Sequence, residues 1–206
     1  MEAGAIGVAE PRTAHSFIPE LEAELAGSGR LSVEEFSQRL SDFFAIRWQQ
    51  GNMPANADPA IFVIGGFDEG GTYGRVYQVV IPAAPKPQEQ NAGEFGITFG
   101  GQTETMNRIL HGHDPRLPGL LTTALKLTAN QQKELGVVLK GQTLQIPIQF
   151  LPLQDCVDIG VFMIETTSAL QRWQVGIRGV GGPIDVATIT RIDGFRAVQE
   201  KVIHGK

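Results

Sequence analysis

Apolar residues recur with helical spacing near the start of the chain. Residues 13–26 carry large apolar side chains four residues apart, which predicts a first helix. A second helix begins at Ser32, because Ser32 and Glu35 have the spacing of a capping box. Its apolar stripe comprises Phe36, Leu40, Phe43, Phe44 and Trp48. We expect this stripe to pack into a core rather than to stack on nucleobases, because only Arg39 and Arg47 interleave with it.

The apolar period then shortens to that of β-strands. The run 60–64 is continuously apolar, which is typical of a strand that is buried on both faces. Residues 73–81 alternate between apolar and polar and are expected to pair with this run as a β-hairpin. Residues 82–91 hold three prolines and predict a loop. Residues 94–100 place apolar side chains on one face and predict a third strand.

The middle of the chain is less regular. Residues 103–111 predict a short helix, and residues 128–140 predict another that begins at a threonine cap. Prolines interrupt the rest of the stretch at about 112–150. We interpret this stretch as an irregular insertion between core elements.

A long helix and two strands follow. Residues 153–173 are apolar at so many positions that we expect this helix to be buried between layers. Residues 184–190 and 195–203 predict strands joined by the turn signal Asp193-Gly194. Because helices and strands come in separate runs, the sequence predicts an α+β fold.

Glycine-containing motifs stand at the ends of several of these elements. They are Gly65-Gly66-Phe67-Asp68, Phe99-Gly100-Gly101-Gln102, Gly181-Gly182-Pro183-Ile184-Asp185-Val186-Ala187 and Asp193-Gly194-Phe195. In this order, with helices between them, they resemble the pattern of β-type proteasome subunits, which belong to the N-terminal-nucleophile hydrolases. The resemblance covers most of the chain outside the 112–150 insertion.

The resemblance implies a particular fold, activity and assembly. The fold would be a four-layer αββα sandwich, with residues 1–206 as one domain that lacks its first strands. The activity would be peptide-bond hydrolysis by an N-terminal Thr, Ser or Cys, and the assembly a homo-oligomer or proteasome-like ring. The scaffold of the family's pocket would comprise Gly100, Gly101, Gly181, Gly182 and Asp185. For Asp185, a polar residue satisfied by backbone amides is the alternative to a catalytic role.

The chain departs from the family where the chemistry should lie. It begins Met1-Glu2-Ala3, which offers no nucleophile, and Thr13 and Ser16 precede a helix rather than a strand. The turn that ends at Gln102 has no serine, and residues 177–180 lack the Asp and Ser of active members. We therefore expect no catalytic residue in this chain, and a peptide substrate only if the missing strands exist. Two interpretations remain: a fragment of a longer protein, which we favour because a sheet without these strands exposes its edges, and a non-catalytic structural or regulatory subunit.

Composition and charge exclude several other classes. The net charge is -5, and no cluster of Lys and Arg predicts binding to nucleic acid or to an anionic membrane. The longest apolar run, 60–64, is too short to span a bilayer. A single cysteine cannot form an internal disulfide, which indicates a reducing cytoplasm. We expect no cofactor.

A few side chains remain as candidates for other chemistry. His111, His113 and Asp114 offer N, N and O donors for a metal, but a fourth ligand is not evident, and we interpret them as exposed turn residues. A metal-dependent hydrolase that uses these histidines remains the weaker alternative. Cys156 is interpreted as a small buried hydrophobe rather than a reactive thiol. Three aspartates are interpreted as helix caps or solvated groups rather than acid–base catalysts: Asp42, Asp155 and Asp158.

Overall fold

The computed structural model describes residues 6–7, 11–12, 14–51, 53–54, 56–176 and 179–200. Over these residues the fold is α+β, as the sequence predicts. The chain divides into two compact units. The first unit comprises Met1–Gly100 with Ala187–Ala197, and the second comprises Gly101–Val186 with Val198–Lys206. The single domain expected from the sequence stays a prediction.

Two helices and a three-stranded sheet form most of the first unit. A short ladder joins β1 (Ile6–Gly7) to β2 (Pro11–Arg12), and a 3-10 turn at Ala14–Phe17 leads into α1 (Ile18–Leu25). Helix α2 spans Val33–Gln50. Strands β3 (Ala60–Gly66), β4 (Arg75–Ile81) and β5 (Ala84–Gln90) follow and pair antiparallel in that order. Thr13, in the first predicted helix, lies outside the described residues.

The capping box that was predicted for α2 is present. The Ser32 hydroxyl accepts from the backbone N–H of Glu35 at 3.2 Å, and the Ser32 N–H donates to the Glu35 carboxylate at 2.9 Å. Both bonds satisfy backbone donors that a helix start otherwise leaves unpaired. The predicted start of this helix is therefore confirmed.

The aromatic stripe of α2 lies in the core, as predicted. Phe43 and Phe44 are buried with Phe17, and their ring centroids lie 5.2 to 6.5 Å apart in edge-to-face contacts. Phe62 of β3 packs on Phe44 at 4.4 Å. Burial of each phenylalanine contributes about 2 to 3 kcal/mol. These rings therefore provide much of the apolar contact that holds the helices to the sheet.

Arg47 joins α1 to α2 at the edge of this aromatic cluster. Its guanidinium lies 4.8 Å from the centroid of the Phe43 ring and donates to the Glu20 carboxylate at 2.9 Å. A cation over an aromatic face is attracted by the ring quadrupole. Arg47, one of the two basic residues that interleave with the stripe, thus stabilises the core rather than a nucleic-acid surface.

Arg75, the first residue of β4, is the centre of a charged cluster. It donates to both oxygens of Glu89 on β5 at 2.8 and 2.9 Å, to Asp68 at 3.1 Å and to Glu34 on α2 at 3.3 Å. The other oxygen of Asp68 accepts from the backbone N–H of Val33 at 2.7 Å. We call these residues the Arg75 cluster. It joins the start of α2 to the β3–β4 connection and to β5.

One face of the three-stranded sheet is not covered by α2. Ala60 and Ile64 are buried against the helix, whereas Ile61 is 45% and Val63 50% exposed. The prediction that β3 is buried on both faces is therefore wrong. The run is apolar throughout, but only one helix layer is described against this sheet.

Two local predictions beside this sheet are also wrong. The predicted loop 82–91 contains strand β5, in which Pro85 and Pro87 are tolerated because β5 is an edge strand and needs fewer ladder donors. The predicted strand 94–100 is irregular. It folds back so closely that a side chain at Gly96 would collide with Asn91.

Four helices form most of the second unit. They are α3 (Glu104–His111), α4 (Leu117–Leu125), α5 (Ala129–Lys140) and α6 (Leu153–Gln171), with a 3-10 turn at Ile148–Phe150. The capping box at Thr128 confirms the predicted start of α5. The description of 112–150 as irregular is wrong, because two helices occupy much of it. None of the described helices has the length and apolarity of a membrane-spanning segment.

Helix α6 is less buried than predicted. Within it, only Met163, Thr167 and Gln171 are buried, and Phe162 and Ile164 are exposed. Within the described residues, α6 is therefore not buried between two layers as predicted. A helix can carry apolar side chains on several faces without having a neighbouring element packed against each of them.

The last strands form a separate two-stranded sheet, the β6–β7 ribbon, from β6 (Val186–Thr190) and β7 (Gly194–Gln199). The predicted turn is present, with Gly194 at a φ of 65° and the Asp193 N–H donating to the Thr190 hydroxyl at 2.9 Å. All six residues of β7 are exposed. Residues 201–203 of the predicted last strand lie outside the described residues.

Replacement of Arg75 by methionine should destabilise the first unit. The change keeps an aliphatic side chain but leaves Asp68, Glu34 and Glu89 without their shared cation, which should cost about 2 kcal/mol of unfolding free energy. Urea unfolding followed by circular dichroism measures this loss. Lys86→Met is the control, because it removes an exposed cation from neighbouring β5. Equal unfolding free energies for the two variants would contradict the role of the cluster.

The contribution of the Arg75 cluster should disappear in acid. The Val33 N–H and then Arg75 lower the pKa of Asp68 below 3.8, and Arg75 lowers that of Glu89 below 4.5. A carboxyl with a lower pKa in the folded state stabilises that state above its unfolded pKa, and this stabilisation is lost as the pH falls through the folded pKa. The difference in unfolding free energy between the native chain and Arg75→Met should therefore shrink as the pH falls below about 5. A difference that is independent of pH would argue that the arginine acts through packing alone.

Candidate functional site

A cavity of about 420 Å³ in the second unit is lined mostly by polar side chains. Its walls come from the residues before α3, the first turns of α3 and the end of α6. The side chains that matter most are Gln102, Thr103, Thr105, Arg108, Gln171 and Gln174. We call this cavity the carboxamide pocket, because three of these six side chains are carboxamides.

Gln171 holds the wall of the carboxamide pocket in place. This residue is only 8% exposed, and its Oε1 accepts from the backbone N–H groups of Gly179 at 3.0 Å and Val180 at 2.9 Å. Its Nε2 donates to Oε1 of Gln102. A Cβ at Gly179 would collide with the Gln102 side chain, so this close approach requires glycine or a displaced Gln102. One buried carboxamide thus joins three separate parts of the second unit.

Two opposite charges stand one helical turn apart at the mouth of the pocket. Glu104 and Arg108 both line it, and their side chains are 77% and 53% exposed. Arg108 donates through Nε and Nη2 to Asp114 at 3.1 and 2.6 Å. The nearest recorded cation to Glu104 is Arg116, at 3.8 Å. The mouth can therefore interact with either sign of charge.

Asp114 fixes the position of Arg108. Its carboxylate also accepts from the Arg116 guanidinium at 2.8 and 3.0 Å and from the Arg116 backbone N–H at 2.9 Å. These bonds from Arg116, followed by those from Arg108, hold the pKa of Asp114 well below its usual value. The carboxylate is therefore ionised and engaged by arginines.

A second, more apolar depression follows one face of α6. It consists of a cavity of about 660 Å³ and a neighbouring one of about 420 Å³, which share Val161 and Gln199. Its walls include Val157, Ile164, Pro183, Ile184, Val186 and Val198. We call it the α6 groove. Its lining also includes polar side chains, among them Glu165, Ser168, Arg172 and Asp158.

Two of the five residues expected to form the family's pocket line the cavities described above. Gly101 lines the carboxamide pocket, whereas Gly182 lines the α6 groove. A Cβ at Gly181 would lie 3.6 Å from the Ser168 hydroxyl, and one at Gly100 would lie in open space. Asp185 belongs to the segment that leads into β6 and lines neither cavity. Ile177 and Arg178 lie outside the described residues.

The sequence did not single out Gln171, Gln174 or Arg108. The sequence does contain an indication for Gln171, because it is a polar residue in the last turn of a largely apolar helix. A polar side chain that is buried at such a position is expected to be hydrogen-bonded. Its partners, 8 and 69 positions away in the chain, could not be read from that pattern.

Two of the three candidate metal donors at positions 111–114, His113 and Asp114, make contacts within the chain. Nδ1 of His113 lies 2.8 Å from the carbonyl oxygen of His111, and Asp114 is bound to two arginines. Within the described part of the chain, no group of three His, Cys, Asp or Glu side chains is arranged to hold a metal ion. Metal-dependent chemistry at this turn remains an untested alternative.

The remaining candidates lie on helix surfaces. Asp42 and Asp158 each accept from a glutamine one turn away, Gln38 and Gln154, at 2.8 Å. Cys156 is exposed, so the interpretation of this thiol as a buried hydrophobe is wrong. It lies in the first turn of α6, where the helix presents it to solvent.

Comparison of the chain with protein families, with curated proteins and with solved structures finds no match in any of the three. The assignment of a function therefore depends on the geometry of the chain itself.

Replacement of Gln171 by leucine should loosen the wall of the carboxamide pocket. Leucine has a similar size but leaves the Gly179 and Val180 N–H groups without an acceptor, which should cost about 2 kcal/mol. Amide hydrogen exchange at these two residues should accelerate, and NMR measures both rates. Gln174→Leu is the matched control, because Gln174 lines the same pocket but is exposed. Unchanged exchange in Gln171→Leu would show that another contact holds this segment.

Proposed function

We propose that this chain is a non-catalytic subunit of a proteasome-like assembly and that it associates with other chains through apolar surfaces. The observation that carries the proposal is the exposure of large apolar side chains on the β6–β7 ribbon and in the turn that joins its two strands. Ile192 is 95% and Phe195 71% exposed. Contiguous exposed apolar surface is typical of protein interfaces.

Two strands alone give the ribbon only marginal stability in water, as in isolated two-stranded hairpins. Within the described residues it is a sheet of two strands, and every residue of β7 is exposed. A partner chain that covers this ribbon would bury its aromatic and aliphatic side chains. In the four-layer αββα arrangement that the resemblance implies, further strands would supply such cover.

The chemistry of the carboxamide pocket supports a non-catalytic role. Glutamine side chains do not titrate in the ordinary range of pH, so they cannot accept the proton of a nucleophile. Among the described residues that line this pocket, Glu104 is the one carboxylate, and it is largely exposed. The pocket can bind and orient, but among its described residues neither threonine hydroxyl is hydrogen-bonded to a base, and that of Thr103 accepts from Asn107.

An N-terminal-nucleophile peptidase is the second candidate function. Gln171 makes hydrogen bonds to Gln102 and to the N–H groups of Gly179 and Val180. Gln102 follows the motif Gly100-Gly101, and residues 179–180 precede the motif Gly181-Gly182. These are the two segments that flank the reactive centre in the family that the chain resembles. This proximity favours the peptidase candidate, although no described side chain supplies its chemistry.

The assembly state tests the proposed function. Light scattering after size-exclusion chromatography, between about 1 and 100 μM, should find an oligomer whose mass falls in Phe195→Asp, because a buried carboxylate opposes association. Phe150→Asp is the matched control, since Phe150 is equally exposed but lies on a different segment. A monomer at every concentration, or equal effects of both variants, would refute association through the ribbon.

Peptide hydrolysis separates the two candidates. We expect no turnover of fluorogenic peptides by the purified chain, because no described hydroxyl of the pocket is hydrogen-bonded to a base that could activate it. Turnover that an N-terminal-threonine-directed inhibitor abolishes would instead establish the peptidase candidate and refute the non-catalytic one.

A further inference from the structure

The interior of the carboxamide pocket is neutral but rich in hydrogen-bonding groups. Gln102 and Gln174 offer amide donors and carbonyl acceptors, and Thr103 and Thr105 offer hydroxyls. The hydroxyl of Thr103 accepts from Asn107 at 3.1 Å. The carboxamide of Gln174 makes no hydrogen bond to the described residues. These groups can therefore receive a small polar ligand.

The pocket is formed before any ligand arrives. Buried Gln171 makes hydrogen bonds to Gly179, Val180 and Gln102. These bonds fix the inner wall of the pocket without a bound ligand. A site that does not have to order itself on binding retains more of its interaction energy as affinity. The volume of about 420 Å³ lies in the usual range for small-molecule sites.

The two charges at the mouth select the kind of ligand. Arg108 uses Nε and Nη2 for Asp114, and its Nη1 makes no hydrogen bond to the described residues, so this nitrogen remains a donor for an anion. Glu104 forms an exposed ion pair with Arg116 at 3.8 Å but makes no hydrogen bond to the described residues, so its carboxylate remains an acceptor for a cation. The spacing of four residues on α3 puts their Cβ atoms about 6 Å apart on one face. Both long side chains can therefore reach one small molecule.

We propose that the carboxamide pocket binds a free α-amino acid with a small polar side chain. Its carboxylate accepts from Arg108, its ammonium group donates to Glu104, and its side chain exchanges hydrogen bonds with the carboxamides inside. A ligand with only one charge leaves the other mouth residue unused. This proposal is independent of whether the chain assembles with others, because every residue that it uses lies in the second unit.

Isothermal titration of the full chain with L-serine tests the proposal. We expect a dissociation constant between about 10 μM and 1 mM, which is reasonable for so small a ligand. Ethanolamine lacks the carboxylate and L-lactate lacks the ammonium group, and each should bind at least tenfold more weakly. L-leucine should also bind more weakly, because its side chain leaves the carboxamides unpaired. Absence of binding by L-serine at 10 mM, or binding of ethanolamine, L-lactate or L-leucine as tight as that of L-serine, overturns the proposal.

Variants locate the binding. Arg108→Gln and Glu104→Gln should each weaken the binding of L-serine at least tenfold, since each removes one of the two charges. Lys133→Gln and Glu134→Gln are the matched controls, because they remove the same charges from an exposed part of α5. Thermal unfolding confirms that each variant is folded. Full affinity in both Arg108→Gln and Glu104→Gln overturns the proposal.

An NMR readout does not depend on these variants. In spectra of the native chain, L-serine should shift the side-chain NH₂ signals of Gln102 and Gln174, whereas glycerol at the same concentration should not. Shifts confined to residues outside the pocket, or equal shifts with glycerol, overturn the proposal.

Discussion

The guanidinium of Arg75 is the contact on which the arrangement of the first unit depends. Its carboxylate partners Glu34, Asp68 and Glu89 come from α2, from the β3–β4 connection and from β5. Asp68 in turn accepts from the N–H of Val33, one of the donors that every helix start leaves unpaired. The charge thus fixes the start of α2 against the sheet, and the apolar stripe of the helix can then pack over Tyr77, Val79 and Ile81.

The features that could be predicted from the sequence are those with local causes. The capping boxes at Ser32 and Thr128 are fixed by residues three positions apart, and both helices begin where the sequence places them. The stripe through Phe43 and Phe44 is a property of one helix. The turn at Asp193-Gly194 is likewise complete within a few residues.

The features that could not be predicted depend on distant partners. Strand β5 was predicted as a loop because its prolines disfavour a sheet, yet at an edge their missing donors cost little. The alternation in 94–100 indicated which side chains share a face, but no strand among the described residues pairs with this segment. The carboxamide pocket was missed for the same reason, since Gln171 gains its partners from residues 102 and 179–180. The resemblance to proteasome subunits identified both glycine segments, but their contact required the structure.

The two prolines of β5 have a consequence for misfolding. The sheet has two edges, and the β5 edge cannot offer a full ladder of donors to a strand from another molecule. The β3 edge, Ala60–Gly66, carries no proline and is apolar along most of its length, which is the composition of segments that stack into fibrils. Strands from other molecules can therefore add to this sheet only at its β3 edge. Aggregation during synthesis or after heating would begin at β3, and a charge introduced there would suppress it.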